Sequence, residues 1–206
     1  MSRKKPKSES VAWGVRRAHT RERLIAAAQS AIAEKGFHRA SLDDIAARAG
    51  LTKGAVYDNF KSKDELFLAV VTAWTTERSS RFAWPQGRTG SLKQRLSRLA
   101  EAVIADAPSA QLEAPMRAEF LLYTLTHENM RRRIAEAAVT RLAAVREHLL
   151  EFLSEEELPL PLDKFVVLLE ALIPGLMFIR SQEPKLVTDA VIVAIFQSLA
   201  GRSTKG

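Results

Sequence analysis

Residues 41–63 read SLDDIAARAGLTKGAVYDNFKSK. Leu42, Ile45, Ala46 and Ala49 recur at the spacing of one helix face. Ser41 stands where an N-cap belongs, with Asp43 and Asp44 in the first turn beside the positive end of the helix dipole. Gly50 then ends the helix, because a residue without Cβ takes left-handed backbone at no steric cost. Thr52 caps a second short helix over 53–59, and Ser62 caps a third with Asp64 and Glu65 behind it. Two short helices joined by a tight turn predict a helix-turn-helix, the layout that lays one helix in the DNA major groove.

Upstream, Leu24, Ile25, Ala28, Ala31 and Ile32 share a helix face over 20–35, and Gly36 reads as its stop. Residues 1–17 are polar and basic and read as a flexible arm. Downstream, Leu66, Phe67, Val70, Ala73 and Trp74 line one face of the helix that starts at Ser62. A loop follows over 82–90, with Trp84-Pro85 and two glycines. Further helices are expected near 91–106, 111–126, 128–153, 161–181 and 184–201, with Pro159 and Pro161 as breaks and a kink or local break at Pro174-Gly175. Strand and hairpin signals are missing, so the fold class is all-α.

Charge is unevenly placed. Through Lys63 there are 14 Lys and Arg against 6 Asp and Glu; the remaining residues hold 17 against 18. A basic N-terminal third is the footprint of a polyanion partner, or else of a solvated tail. The chain has no cysteine, which excludes disulfides and thiolate metal sites. The basic N-terminus lacks a signal-peptide core, and the longest apolar stretch is interrupted by Glu170 and Pro174, so a cytoplasmic protein with no membrane partner is expected. His19, His38, His127 and His148 are scattered, and no HExxH, nucleophile elbow or phosphate loop is present. Neither an enzyme, a bound metal nor a cofactor is expected.

Order and spacing of several pieces resemble the DNA-binding domain of TetR-family transcriptional regulators. They are residues 20–28 (TRERLIAAA), Gly36-Phe37, Asp44-Ile45-Ala46, Ala49-Gly50, residues 53–57 (KGAVY), Phe60, and residues 62–66 (SKDEL). The resemblance implies an N-terminal three-helix helix-turn-helix domain at 18–64, behind the arm at 1–17. A C-terminal helical effector-binding and dimerisation domain would occupy 65–206. It implies a sequence-specific regulator, a repressor released from a palindromic operator by a small, largely hydrophobic effector. By that resemblance Thr52, Lys53, Gly54, Ala55 and Asn59 would lie near bases, and Ser41, Thr52, Tyr57 and Lys63 would meet phosphates. Asp58 departs from the family's usual aromatic or histidine: it either accepts from a cytosine amino group or turns away. The basic residues Arg3, Lys4, Lys5, Lys7, Arg16 and Arg17 either reach the minor groove or backbone, or add only weak salt-sensitive attraction.

A homodimer through the last two helices is implied, resting on the stripe of Val187, Ala190, Val191, Ala194, Ile195, Ser198 and Leu199; the same stripe also suits an intrachain core. The effector pocket is expected among Trp74, Trp84, Met116, Phe120, Tyr123, Met177 and Phe178, each of which also suits a core. A sequence-tolerant DNA-coating protein is the rival reading; it would show no preference for an operator over random DNA.

Overall fold

The computed structural model describes residues 7–201, without the side chains of 7–13, 111 and 112. Among the described residues it is all-helical: α1 Lys7–Lys35, α2 Leu42–Arg48, α3 Lys53–Asn59, α4 Lys63–Arg81, α5 Leu92–Thr126, α6 Glu128–Phe152, α7 Leu162–Gln182 and α8 Asp189–Ser198, with a short 3-10 turn at Glu155–Glu157. The chain divides into two compact units, residues 1–77 with 115–134, and residues 78–114 with 135–206.

In the first unit, α1, α2 and α3 close around Leu24, Ala28, Ala31, Ile32, Phe37, Ile45, Ala46, Val56 and Phe60, joined by Leu66, Phe67 and Val70 of α4. Alanines at 28, 31 and 46 let the helix axes approach closely, while the phenylalanines fill the gaps between them. Phe37 is the hub, with ring centroids 3.9 Å from Phe67 and 4.9 Å from Tyr123. Its N–H donates to the Glu119 carboxylate. Gly36 takes φ +79 there, and a Cβ on it would collide with the same carboxylate.

In the second unit, Leu96, Leu99 and Val103 of α5 pack with Leu149 and Phe152 of α6, Phe165, Val166 and Leu169 of α7, and Ile192 and Phe196 of α8. Arg95, 3 % exposed, is the charged residue of this interior. It donates to the carbonyls of Arg88 at 2.9 Å and Gly90 at 2.8 Å, and pairs with Glu157.

The structure departs from the sequence expectations in five places. The arm expected at 1–17 is helical from Lys7 onward, because nothing between Lys7 and Trp13 breaks a helix and the lone Gly14 costs only about 1 kcal/mol; residues 1–6 lie outside the described residues. The helices expected at 91–106 and 111–126 are one, α5, which passes through Pro108 and Pro115. Both prolines are exposed, where solvent takes over the missing backbone bond. The break expected at Pro174-Gly175 is not seen, and α7 is continuous through Pro174. The last helix starts at Asp189 rather than 184, because Thr188 is its cap and accepts the Val191 N–H. Finally, the partition differs from a division at residue 64: α4 through Glu77 and residues 115–134 belong with the N-terminal helices. Tyr123 and Met130 are the reason, buried in that core with Met116, Phe120 and Ile134 packed against it.

Candidate nucleic-acid interface

Three hydroxyl caps define the helix starts. Ser41 Oγ accepts the Asp44 N–H at 3.1 Å, Thr52 Oγ1 accepts the Ala55 N–H at 3.3 Å, and Ser62 Oγ accepts the Glu65 N–H at 3.1 Å. Each hydroxyl accepts in its cap and keeps its own proton to donate outward. Gly50, at φ +63, turns the chain between α2 and α3, with the Leu51 N–H returning to the Ala46 carbonyl at 2.9 Å.

Helix α3 buries one side chain completely, Val56. Thr52, Lys53, Gly54, Tyr57 and Asp58 are exposed, and Ala55 is half-buried. Lys53 Nζ lies 2.8 Å from the Asp43 carboxylate, and that hydrogen bond holds the ammonium above its usual range. Tyr57, 53 % exposed, extends its phenol into solvent. Asp58 is exposed too, so its carboxylate turns away from the core.

Two expected contact residues point elsewhere. Asn59 Nδ2 donates back to the Ala55 carbonyl at 2.8 Å, and its Oδ1 is buried without a partner. The amide is spent on its own helix rather than directed outward. Lys63 folds back, with Nζ 4.9 Å from the centre of the Phe67 ring and 3.4 Å from the His38 carbonyl. Burial pushes its pKa down.

Much of the basic charge around this surface is paired internally. Arg48 bonds Glu34 at 2.6 Å and Asp44 at 3.2 Å, and Lys35 bonds Asp44 at 3.0 Å. The Lys35 hydrogen bond first, then Arg48, holds the Asp44 carboxyl below the ordinary carboxylate range. Sequence reasoning gave no role to Arg21 and Arg23 of α1, and placed Arg17 only among the basic residues of the arm. Arg17 donates to the Asp58 carbonyl at 3.2 Å, Arg21 to the Asn59 carbonyl at 2.9 Å, and Arg23 to the Ala49 carbonyl at 2.5 Å. Their only trace in the sequence is the spacing of four between Arg17 and Arg21, which puts both on one face of α1.

The residues expected to line an effector pocket are divided between the two units. Met116, Phe120 and Tyr123 pack in the core of the first unit. Trp74 is buried in that unit as well, with the Arg117 guanidinium 5.2 Å from its ring. Met177 is buried in the core of the second unit, whereas Phe178 is 61 % exposed. Trp84 stacks on His148 at 4.9 Å. The second unit holds a cleft of about 730 Å³ lined by residues such as Leu92, Glu157, Ala194 and Gln197, none of them from that expected set. Among the described residues no cluster of three His, Cys, Asp or Glu side chains is placed to hold a metal. No described helix is long and apolar enough to cross a membrane.

Comparison with known proteins accords with this geometry. The profile of the bacterial regulatory proteins of the tetR family matches residues 24–70. The HTH-type transcriptional activator FasR of Mycolicibacterium smegmatis is 45 % identical over 51 residues, which cover 25 % of this chain and 23 % of FasR. The HTH-type transcriptional regulator SrpR of Pseudomonas putida is 29 % identical over 189 residues, covering 87 % of this chain and 84 % of SrpR. A solved transcriptional regulator of Streptomyces coelicolor shares the fold with a TM-score of 0.71 at 22 % identity, over 88 % of this chain and 98 % of that one. These relatives are regulators of transcription, not enzymes. The capped helix-turn-helix and the profile that spans it show a DNA-binding domain of the tetR type at residues 24–70, and the relative that extends over most of the chain is an HTH-type transcriptional regulator.

Proposed function

We propose that this chain represses transcription as a homodimer on a palindromic operator and leaves it when a small, largely hydrophobic effector binds. The observation that carries the DNA-reading part is the outward row Thr52, Lys53, Gly54 and Tyr57 on a helix tethered from behind by Val56. Gly54 has a helical φ, and the nearest atom to a Cβ on it would be Thr52 Oγ1 at an ordinary 3.7 Å. Nothing inside the fold demands glycine there, whereas close approach of base edges does. In this reading Lys53, Gly54 and Ala55 face bases, and Ser41, Thr52 and Tyr57 hold phosphates. Lys63 joins the phosphate set once it leaves the Phe67 ring, and Asn59 reaches a base only by giving up its bond to Ala55.

Dimerisation is supported by two exposed stripes of apolar and small residues. Val167, Ala171, Gly175 and Phe178 run down α7, and Val191, Ala194 and Ser198 run down α8. Two such helices pair with their two-fold copies as a four-helix bundle. The effector part rests on the apolar character of the expected pocket set and on the family's use of its C-terminal helices.

The test is footprinting on DNA flanking the protein's own gene, repeated with hydrophobic compounds. The expected result is a protected palindrome, bound at least about a thousandfold tighter than random DNA at fixed salt. Equal affinity for both would establish the coating protein instead. A compound that binds tightly and leaves operator affinity unchanged would remove the release mechanism for that compound.

A further inference from the structure

We propose that Arg21, supported by Arg17 and Arg23, is a positioning residue for DNA reading: the guanidiniums of α1 hold the reader helix by its C-terminal carbonyls and do not serve as phosphate contacts. The inference rests on the reading of α3 as the reader helix.

A helix of seven residues is far below the length that persists alone in water, about 12–15 residues, so α3 depends on what holds it. It has one completely buried side chain, Val56. Its N-terminus is finished locally by Thr52, through the bond to the Ala55 N–H. Its C-terminus has no αL glycine; the Phe60 cap is extended, and the Phe60 N–H closes only onto Val56. The last carbonyls, of Asp58 and Asn59, therefore need donors from elsewhere. Arg17 and Arg21 supply them, at 3.2 and 2.9 Å. A cation at this end also meets the negative pole of the helix.

Arg21 is further fixed by Phe60, whose ring centre lies 4.1 Å from the guanidinium carbon. Its position is thus set from two directions, by a planar stack and by a directed hydrogen bond, which a lysine reproduces poorly. Arg23 does the same one helix earlier. It bonds the Ala49 carbonyl at 2.5 Å, and Ala49 caps α2 just before the Gly50 turn. Three arginines of one helix thus hold the ends of both reader-motif helices, leaving the N-terminal half of α3 facing outward.

Two roles for a basic residue are separable by experiment. A phosphate contact weakens operator and random DNA alike and lowers the salt slope by about one per contact removed. A positioning residue lowers operator affinity while random-DNA affinity and the salt slope stay put. The experiment measures full-length wild type, Arg21→Met and Arg21→Lys by fluorescence anisotropy on operator and scrambled duplexes over a salt series. Amide hydrogen exchange of residues 53–59 is followed alongside.

For Arg21→Met the expected result is a loss of about tenfold on the operator, as for one charge-assisted hydrogen bond, little change on scrambled DNA, the same slope and faster exchange in α3. Arg21→Lys should keep the charge and still lose most of the operator preference. Parallel losses on both duplexes with a shallower slope would overturn the proposal, as would an unchanged operator affinity. If Arg21→Met fails to fold, the solvent-exposed Arg17→Met carries the same comparison. If wild type itself shows no operator preference, the reader assignment fails; the exchange data still judge the tether, which unchanged protection in α3 would refute.

Discussion

Replacing Tyr123 by Phe isolates one hydrogen bond in the core of the first unit. The hydroxyl donates to Asp64 Oδ1 at 2.6 Å, from a residue 7 % exposed. The ring stays packed in Tyr123→Phe, stacked on His127 at 3.8 Å and tilted against Phe37 at 4.9 Å, so the loss is confined to the hydroxyl. A hydrogen bond to a charged group contributes about 1.5–3 kcal/mol. Burial first, and then the bond to Asp64, push the hydroxyl from 10.0 to about 12, so the proton and the bond are retained through the neutral range. A loss of about 2 kcal/mol is expected there. The folded pKa is raised, so the stabilisation is fully present below pH 10 and is lost as pH rises toward about 12. Urea denaturation of wild type and Tyr123→Phe, followed by tryptophan fluorescence, should show a gap of about 2 kcal/mol at neutral pH that narrows in alkali. The chain has two tyrosines, so a Tyr57→Phe background leaves Tyr123 as the only phenol in the ultraviolet titration. A neutral-pH gap below about 0.5 kcal/mol, or one that stays constant through the alkaline range, would refute the reasoning.

Asp43→Asn should strengthen operator binding by up to about fivefold at low salt, because it frees Lys53 from its 2.8 Å partner and removes a carboxylate near the phosphates; weaker binding in a mobility-shift titration would show that Lys53 is not at the DNA. Gly36→Ala should cost about 2–3 kcal/mol, since it forces a left-handed backbone on a residue with Cβ and displaces Glu119 from the Phe37 N–H. Calorimetry should then show a drop of about 5–10 °C, whereas Gly54→Ala should leave the melt nearly unchanged and weaken the operator complex instead. Phe178→Asp, on the exposed stripe of α7, should give a monomer in sedimentation that has lost operator affinity and keeps its helical circular dichroism; an intact dimer would place the interface elsewhere.

The elements most legible in the sequence are those specified by neighbours in the chain. Thr52 and the apolar Val56 locate α3 at Lys53–Asn59, and Gly36 and Gly50 mark the ends of the helices before them. What was not legible depends on residues far apart in sequence. Tyr123 has the composition of a pocket wall, but Phe37 and Asp64, 86 and 59 residues away, draw it into the first core. Side-chain direction is equally hidden: Asn59 has the chemistry to read adenine, yet the Ala55 carbonyl one turn back competes for the same amide. Prolines misled for a different reason. Pro108 and Pro115 argue for a break, and exposure of both makes passage through α5 affordable.

Charge is where sequence and structure pull furthest apart, and the difference is measurable. The first 63 residues carry 14 basic side chains, which by counting alone would give a dimer a very steep salt dependence. The structure commits many of them. Lys35, Arg48 and Lys53 bond carboxylates, and Arg17, Arg21, Arg23 and Arg39 bond carbonyls. A cation held on a carbonyl still attracts DNA at long range, but it releases a counterion only if it neutralises a phosphate. With roughly two or three cations per subunit at phosphates, a dimer should give a slope of log affinity against log salt of about −4 to −5. A slope steeper than about −10 would mean that further cations, either the α1 arginines leaving α3 or the basic residues ahead of them in the chain, neutralise phosphates on binding; Arg21→Met separates the two, since it makes the slope shallower only in the first case.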